Sequence, residues 1–304
     1  MKKVLVLMST YNGAKYIEKQ IRSILDQKSD YEIYLHIRDD GSADDTCRII
    51  KELSSHYTGK ITLEQAENIG SNGSFFELIK AADGFDYYAI SDQDDVWMPN
   101  KVQTACNCLS AESSSIPILF ASTSLMVDQN GNVFGETRKK EREFSIYNTM
   151  IQNICPGHNQ FFNNALLRLL KNVSEYQNIY VYDMWITNTA MLYGKILFSN
   201  SPLTYYRQHA ENQMGSKSSK IGKLFTSYRR MLAGDGEKTK TQMRYFIKIN
   251  KEQMKTTGCL KEIEDFLNAD TFGKRARYAR KSRLYRQSAI ETMAFKLAYI
   301  SGRY

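Results

Sequence analysis

An α/β fold with a mainly parallel sheet, extended at its C-terminal end by a basic helical region, is what this sequence of 304 residues predicts. Three observations carry that expectation. Strand-like and helix-like segments alternate through about the first 130 residues, polar clusters recur where the strand-like runs end, and charge divides between an acidic body and a basic tail.

The alternation begins with the apolar run at residues 4–8. Ile17, Ile21, Ile24 and Leu25 follow at helical spacing within residues 13–27, and Ile33, Leu35 and Ile37 then alternate as in a strand. After Asp39-Asp40-Gly41-Ser42, Ser42 is placed to cap a helix carrying Cys47, Ile49, Ile50 and Leu53. The same patterning predicts a strand at 61–65, a helix at 74–82, a strand at 86–91, a helix at 99–110 and a strand at 117–127. Repeated βα units form largely parallel sheets, whose ligands bind beyond the carboxyl ends of the strands. Ser9-Thr10-Tyr11-Asn12, Asp39-Asp40 and residues 92–95 all fall there, so three polar clusters are expected to converge on one crevice.

The length suits one large domain, or a core domain with a smaller appendage. With 42% hydrophobic and 24% charged residues and no low-complexity segment or internal repeat, disorder is not expected. No run approaches the length of a membrane span, and Met1-Lys2-Lys3 leads into too short an apolar run for a signal peptide, so a cytosolic chain is expected. The five cysteines lack zinc-type spacing, and their odd number does not suit a disulfide framework. The net charge of +8 conceals a division: residues 217–304 carry 21 Lys/Arg against 8 Asp/Glu, and residues 1–216 carry 20 against 25. The small polar stretch 215–220 reads as the linker between them. Within the tail, Lys274, Arg275, Arg277, Arg280, Lys281, Arg283 and Arg286 crowd together with Tyr278, Leu284 and Tyr285 and no acidic residue. Such a run either forms a solvated helix face or attracts an anionic membrane surface; no nucleic-acid recognition motif accompanies it.

Ser91-Asp92-Gln93-Asp94-Asp95-Val96-Trp97 sets three carboxylates directly after an apolar run. Carboxylates this close repel one another and all stay ionised only with a cation among them; otherwise the segment is an acidic turn or helix cap. Oxygen ligands favour magnesium, manganese or calcium, and the first two usually share coordination with substrate phosphates.

In order and spacing, Ser9-Thr10-Tyr11-Asn12-Gly13, Asp39-Asp40-Gly41-Ser42, Asn68-Ile69-Gly70 and Asp92-Gln93-Asp94-Asp95 resemble the family 2 glycosyltransferases, inverting enzymes of GT-A fold that use nucleotide-activated sugars. Residues 91–97 together with Tyr206-Arg207-Gln208-His209 look most like bacterial rhamnosyltransferases of surface polysaccharide assembly. The resemblance implies a Rossmann-like GT-A catalytic domain over 1–216, with a nucleotide-binding half at 1–110 and an acceptor-binding half at 111–216, followed by the basic helical region 217–304. It implies a donor nucleotide at Thr10, Tyr11, Asn12, Asp40, Asn68, Gly70 and Asp92. Tyr11 would stack on a pyrimidine and Asp40 would accept its ring N–H, a donor that uracil and thymine have and cytosine lacks. Mn2+ or Mg2+ is expected at Asp92 and Asp94, with His209 as a third ligand and Asp95 behind them, stabilising the diphosphate as it leaves.

An attacking acceptor hydroxyl must lose its proton. Where relatives often carry a Glu-Asp pair, Tyr182 replaces the Glu, which leaves Asp183 as the expected base; the alternative for Asp183 is a helix N-cap. Gly157, His158 and Asn159 are expected in the acceptor and sugar pocket, His158 either touching a hydroxyl or buried for structure. Trp185 either stacks on a sugar ring or fills the core, Arg207 is expected to pair with the diphosphate, and the loop 210–219 to close over the donor. Neither the Gln-x-x-Arg-Trp motif nor the membrane spans of processive relatives occurs. The expectation is therefore non-processive transfer from dTDP-rhamnose or a UDP-hexose to a glycan or lipid-linked glycan, at the inner face of the cytoplasmic membrane, with the basic region drawn to anionic lipid. The rival reading is a non-catalytic nucleotide-sugar-binding module, which needs neither the metal cluster nor the base.

Overall fold

A computed structural model describes residues 1–208 and 235–304. Strands β1 (Lys3–Thr10), β2 (Glu32–Asp39), β3 (Ile61–Gln65) and β4 (Tyr87–Ser91) pair in parallel in the order β4-β1-β2-β3. Their crossovers are the helices α1 (Ile17–Leu25), α2 (Thr46–His56) and α3 (Gly70–Ala81). The chain steps outward from β1 to β3 and then returns to the other flank of β1 as β4, so the carboxyl ends of β1 and β4 border a topological switch point. Helix α4 (Lys101–Ser110) follows a second, smaller sheet's first strand, β5 (Val96–Trp97).

The strand expected at 117–127 is two strands, β6 (Ile118–Ser122) and β7 (Leu125–Val127), which join different sheets. After β8 (Val133–Glu136) and the short helix α5 (Ile146–Thr149), β9 (Phe161–Asn163) runs antiparallel between β4 and β6. Helices α6 (Asn164–Leu170) and α7 (Tyr182–Tyr193) lead to β10 (Lys195–Ser199), parallel to β6 at the edge of the seven-stranded sheet. Strand β11 (Thr204–Arg207) completes the small sheet, ordered β5-β11-β7-β8.

Alternation along β1 builds two cores. Val4, Val6 and Met8 pack with Ile17, Ile21 and Ile37 on one face of the sheet, while Leu5 and Leu7 pack with Phe75, Phe76 and Ile90 on the other. Two local expectations change. Ser42 does not cap α2, because its hydroxyl donates to Asp39 Oδ2, and the helix starts at Thr46 with its N–H on Asp44 Oδ1. Helix α3 begins at Gly70 rather than residue 74, since the left-handed φ of 79° there turns the chain directly into the helix.

The tail comprises α8 (Asp235–Thr256), α9 (Leu260–Asn268), α10 (Phe272–Lys281) and α11 (Ala289–Ile300). Phe246, Phe266, Phe295 and Tyr299 belong to the same buried cluster as Leu5 and Leu7, so the tail is packed onto the α/β core. Tyr278 and Leu284, expected at an interface, turn inward: Leu284 is buried, and Tyr278 packs on Phe266 while its hydroxyl donates to Glu262. The linker 215–220 and the loop 210–219 lie outside the described residues, among which no helix is long and apolar enough to cross a membrane. All five cysteines are free thiols.

Candidate active site

The loops after β1 and β4 are locked together by Gln93, whose Oε1 accepts from Tyr11 N at 2.9 Å and whose Nε2 donates to Tyr11 O at 3.0 Å. A Cβ on Gly13 would lie 2.3 Å from Gln93 Oε1, so this approach requires glycine. Tyr11 remains 50% exposed, and Asn12, with a left-handed φ of 48°, accepts from Ala43 N. Thr10 and Ser42 both donate to Asp39 Oδ2. Burial raises the Asp39 pKa, but the donors from Ser42 and Thr10 prevail and hold it below the ordinary value.

Asp40, expected against a pyrimidine, is buried and engaged by the protein. Its Oδ1 accepts from Arg38 and from Ile69 N, and its Oδ2 from Gly70 N at 2.8 Å. Asn68 Oδ1 also accepts from Gly70 N, at 3.1 Å, so Asp40 and Asn68 together shape the turn that starts α3.

Beyond β4, Asp92, Asp95 and His158 bring ligand atoms within 4.8 Å of one another. His158 Nδ1 stands 3.9 Å from Asp92 Oδ2 and 4.0 Å from Asp95 Oδ2. Asp95 Oδ1 accepts from Arg207 N at 3.0 Å, whereas its Oδ2 is buried without a hydrogen-bond partner. Burial first, then the Asp94 charge, pushes Asp92 up to about 7 and Asp95 well above the carboxylate range. The Asp92 side chain is still 38% exposed, so water offsets part of that push. His158 is pushed down to about 3 by burial and by Lys101, and is therefore the neutral imidazole that metal ligation requires. Its Nε2 lies 3.0 Å from Ser124 Oγ and its ring stacks on Tyr206, which fix its orientation. An orphaned carboxylate oxygen, a second carboxylate and a neutral imidazole at this spacing fit a divalent cation.

The membership of this group differs from the sequence expectation of Asp92, Asp94 and His209. Asp94 is half-buried beside the trio, close enough for its charge to raise both neighbouring carboxyls, but it is not a member of the group. The Arg207 N–H draws Asp95 inward instead, and His158 supplies the nitrogen. His209 lies outside the described residues.

Beneath the trio sits a residue that sequence reasoning missed. Lys101 is fully buried, and its Nζ donates to His158 O at 2.6 Å, Thr204 Oγ1 at 2.7 Å and Asn159 Oδ1 at 3.1 Å, 4.2 Å from the centre of the Trp97 ring. Burial lowers its pKa well below the ordinary value while the Asp95 and Asp92 charges draw it back up. Three oxygen acceptors around one nitrogen are the complement of an ammonium. A local signal existed: Lys101, Ala105 and Leu109 lie four residues apart on the apolar face of α4, where a lysine is out of place.

Asp183 is the second residue of α7, and Val181 takes the N-cap position. Its Oδ2 accepts from Asn153 Nδ2 at 2.8 Å and Gly157 N at 2.9 Å, and its Oδ1 is buried without a partner. Burial raises its pKa against these donors, and its own charge raises that of Asp92, so the two share one site. A Cβ on Gly157 would fall 2.1 Å from Tyr182 Oη; the close approach that glycine permits is to Tyr182 and Asp183. Three expected pocket residues have other tasks. Asn159 donates to Ser122 O and Ser124 Oγ and accepts from Lys101 and Thr204, which fills its hydrogen-bonding capacity. Trp185 is buried against Tyr245 and Phe246 and fills the core. Arg207, 6% exposed, clamps the acidic loop: its Nε donates to Asp94 O and its guanidinium to Gln129 O, each at 3.0 Å.

The model of the family described as "Glycosyl transferase family 2" matches residues 5–163. The dTDP-rhamnosyl transferase RfbG of Shigella flexneri is 28% identical over 223 residues, which cover 70% of this chain and 75% of that one. Among solved structures, S. aureus TarS 1-349 in complex with UDP is similar with a TM-score of 0.56 at 16% identity, over 100% of this chain and 89% of that one. The mannosyltransferase PcManGT from Pyrobaculum calidifontis, in complex with GDP-Man and Mn2+, gives a TM-score of 0.55 at 18% identity, over 99% and 82%. At such identities the structural likeness is one of fold.

Proposed function

The chain belongs to glycosyl transferase family 2, and on that premise we propose that it performs inverting, metal-assisted, non-processive transfer of a sugar from a pyrimidine nucleoside diphosphate donor, dTDP-rhamnose or a UDP-hexose. The acceptor is a glycan or lipid-linked glycan of bacterial surface polysaccharide synthesis, and the reaction takes place in the cytoplasm. The observation that carries this reading is the Asp183 carboxylate. One oxygen is fixed by two donors and the other has no partner, beside the Asp92, Asp95 and His158 group.

The Asp183 carboxylate accepts the proton of the acceptor hydroxyl as the hydroxyl oxygen attacks the anomeric carbon. Asn153 and Gly157 hold its Oδ2, so the base keeps its aim while it gains the proton. Burial makes this carboxylate more basic than an exposed aspartate, which suits the task. A divalent cation held by Asp92, Asp95 and His158 would supply positive charge to a leaving diphosphate. One base and one displacement invert the anomeric centre. Half-exposed Tyr11 offers a ring face to the nucleobase. The similarity to RfbG makes dTDP-rhamnose the first donor to try.

Asp183→Asn tests the reading directly. Transfer should fall at least ~100-fold, the scale of a lost general base, while donor affinity by calorimetry stays nearly unchanged. Parallel loss of donor binding would make Asp183 a structural residue and leave the non-catalytic binding module as the better account.

A further inference from the structure

Helix α11 is apolar on two faces, one turned inward and one outward. Inward, Phe295, Ala298 and Tyr299 are each 1% exposed and pack into an aromatic cluster with Phe266 and Tyr304. Outward, Ile290, Met293 and Leu297 are 66%, 67% and 62% exposed. Their spacing sets them within an arc of roughly 60° on the helix surface. The two charged residues of the helix lie off that arc and are engaged: Glu291 pairs with Arg138 and Arg286, and Lys296 Nζ donates to Ser282 O at 3.4 Å. The outer stripe is therefore uninterrupted by charge.

Its surroundings are cationic. Residues 272–304 carry nine Lys/Arg and one acidic residue, Glu291. Helix α10 lies alongside, tied on by Arg275 Nε, which donates to Ile300 O at 3.1 Å, and it exposes Arg277, Arg280 and Lys281. Phe272, 66% exposed, adds a further apolar group at its start. An apolar stripe beside a surface with an excess of cations, among which Arg277 and Lys281 share a pocket with Glu262 and Asp265 of α9, complements a bilayer whose headgroups are anionic: the stripe enters the acyl boundary and the cations meet the phosphates. A second copy docking through the same face would need an acidic rim, and Glu291, the one acidic residue on these two helices, is already engaged by Arg138 and Arg286.

We propose that the exposed face of α11, flanked by α10, is a docking surface for an anionic phospholipid membrane, with Ile290, Met293 and Leu297 as the inserted residues. The inference is independent of which donor or acceptor is used. It also replaces the sequence-based picture in which Tyr278, Leu284 and Tyr285 meet the membrane, since Leu284 is buried, Tyr278 packs on Phe266 and the Tyr285 hydroxyl donates to Glu143 O.

The test is co-sedimentation of the full chain with vesicles of phosphatidylcholine alone, or of phosphatidylcholine mixed with phosphatidylglycerol. Two variants accompany it: Ile290→Ser/Met293→Ser/Leu297→Ser, and Arg277→Gln/Arg280→Gln/Lys281→Gln. All six side chains are outside the core, and circular dichroism with a thermal melt checks that both variants fold. The wild type should sediment with the mixed vesicles and not with phosphatidylcholine. The apolar variant should lose about ten-fold or more in partition, and the charge variant should lose the preference for phosphatidylglycerol. Mixed-vesicle binding by the apolar variant equal to wild type would overturn the proposal. So would light scattering that shows a wild-type dimer and a monomeric apolar variant, because the stripe would then be covered by a second copy.

Discussion

Replacing Lys101 by Met removes a positive charge from beneath the acidic site while nearly preserving the volume of the side chain. The cost can be worked from the hydrogen bonds. Asn159 Oδ1 keeps the Thr204 hydroxyl as a donor at 2.6 Å, so neither of those groups is orphaned. His158 O loses the Lys101 donor, and a buried acceptor left bare costs about 1–3 kcal/mol. Asp95, 1% exposed, also loses the cation that opposes its burial. Breaking a buried charge pair costs about 3–5 kcal/mol, an upper bound here because Lys101 acts on Asp95 through its charge and not through a direct ion pair, and because Asp95 can take up a proton instead. A net loss of about 3 kcal/mol is expected, against the ~5–15 kcal/mol that keeps a typical protein folded. Urea unfolding followed by tryptophan fluorescence reads it at the lesion, since Trp97 lies 4.2 Å from Lys101 Nζ. Saturating Mg2+ or Mn2+ should stabilise Lys101→Met more than the wild type, because a cation between Asp92 and Asp95 replaces the missing charge. Adding Asp95→Asn to Lys101→Met should likewise recover part of the loss. Equal midpoints for wild type and Lys101→Met, or losses in the double variant that simply add, would refute the counter-charge role.

Asp95→Asn alone should weaken Mn2+ binding, read by electron paramagnetic resonance, about ten-fold or more, and excess chelator should abolish transfer by the wild type; full transfer in chelator would remove the metal from the mechanism. Gly157→Ala places a Cβ 2.1 Å from Tyr182 Oη and should lower stability by about 1–3 kcal/mol in a thermal melt. Adding Tyr182→Phe should restore part of that, and no recovery would mean that the clash is relieved elsewhere.

The strands and crossover helices of the first 110 residues are legible because each is long enough to show its period. Val4, Val6 and Met8 face one core and Leu5 and Leu7 the other, as a buried parallel strand requires. Strands β5 and β9 are not legible: they are two and three residues long, and pairings such as Tyr88 with Phe162 fix them from far along the chain. At the site, Asp92 and Asp183 announce themselves by chemistry and setting. Whether Asp94 or Asp95 turns inward cannot be read locally, because the deciding donor, Arg207 N, is 112 residues away. His158 is noticeable as a histidine after a Pro-Gly turn, yet its partners come from the loop after β4 and from Ser124, neither adjacent in sequence. In the tail the basic run is evident, whereas the inward turn of Tyr278 and Leu284 follows from packing against Phe266 and the core.

The candidate metal site is a property of two docked sheets and not of one loop. Asp92 follows the last strand of the parallel run, His158 precedes β9, and the bond that holds Asp95 comes from β11 in the small sheet. Lys101 spans the same junction, with hydrogen bonds to the His158–Asn159 turn and to Thr204, the residue that pairs with Trp97 across β11 and β5. Residues 1–110 contain the carboxylates but neither the imidazole nor the Arg207 N–H, and without β9 the β4 edge from Tyr87 to Ala89 loses its antiparallel partner. Residues 1–110 and 111–208 are therefore parts of one cooperative unit. A cation that binds only the native arrangement stabilises both sheets together, so metal binding and folding of this domain are linked through the same few residues.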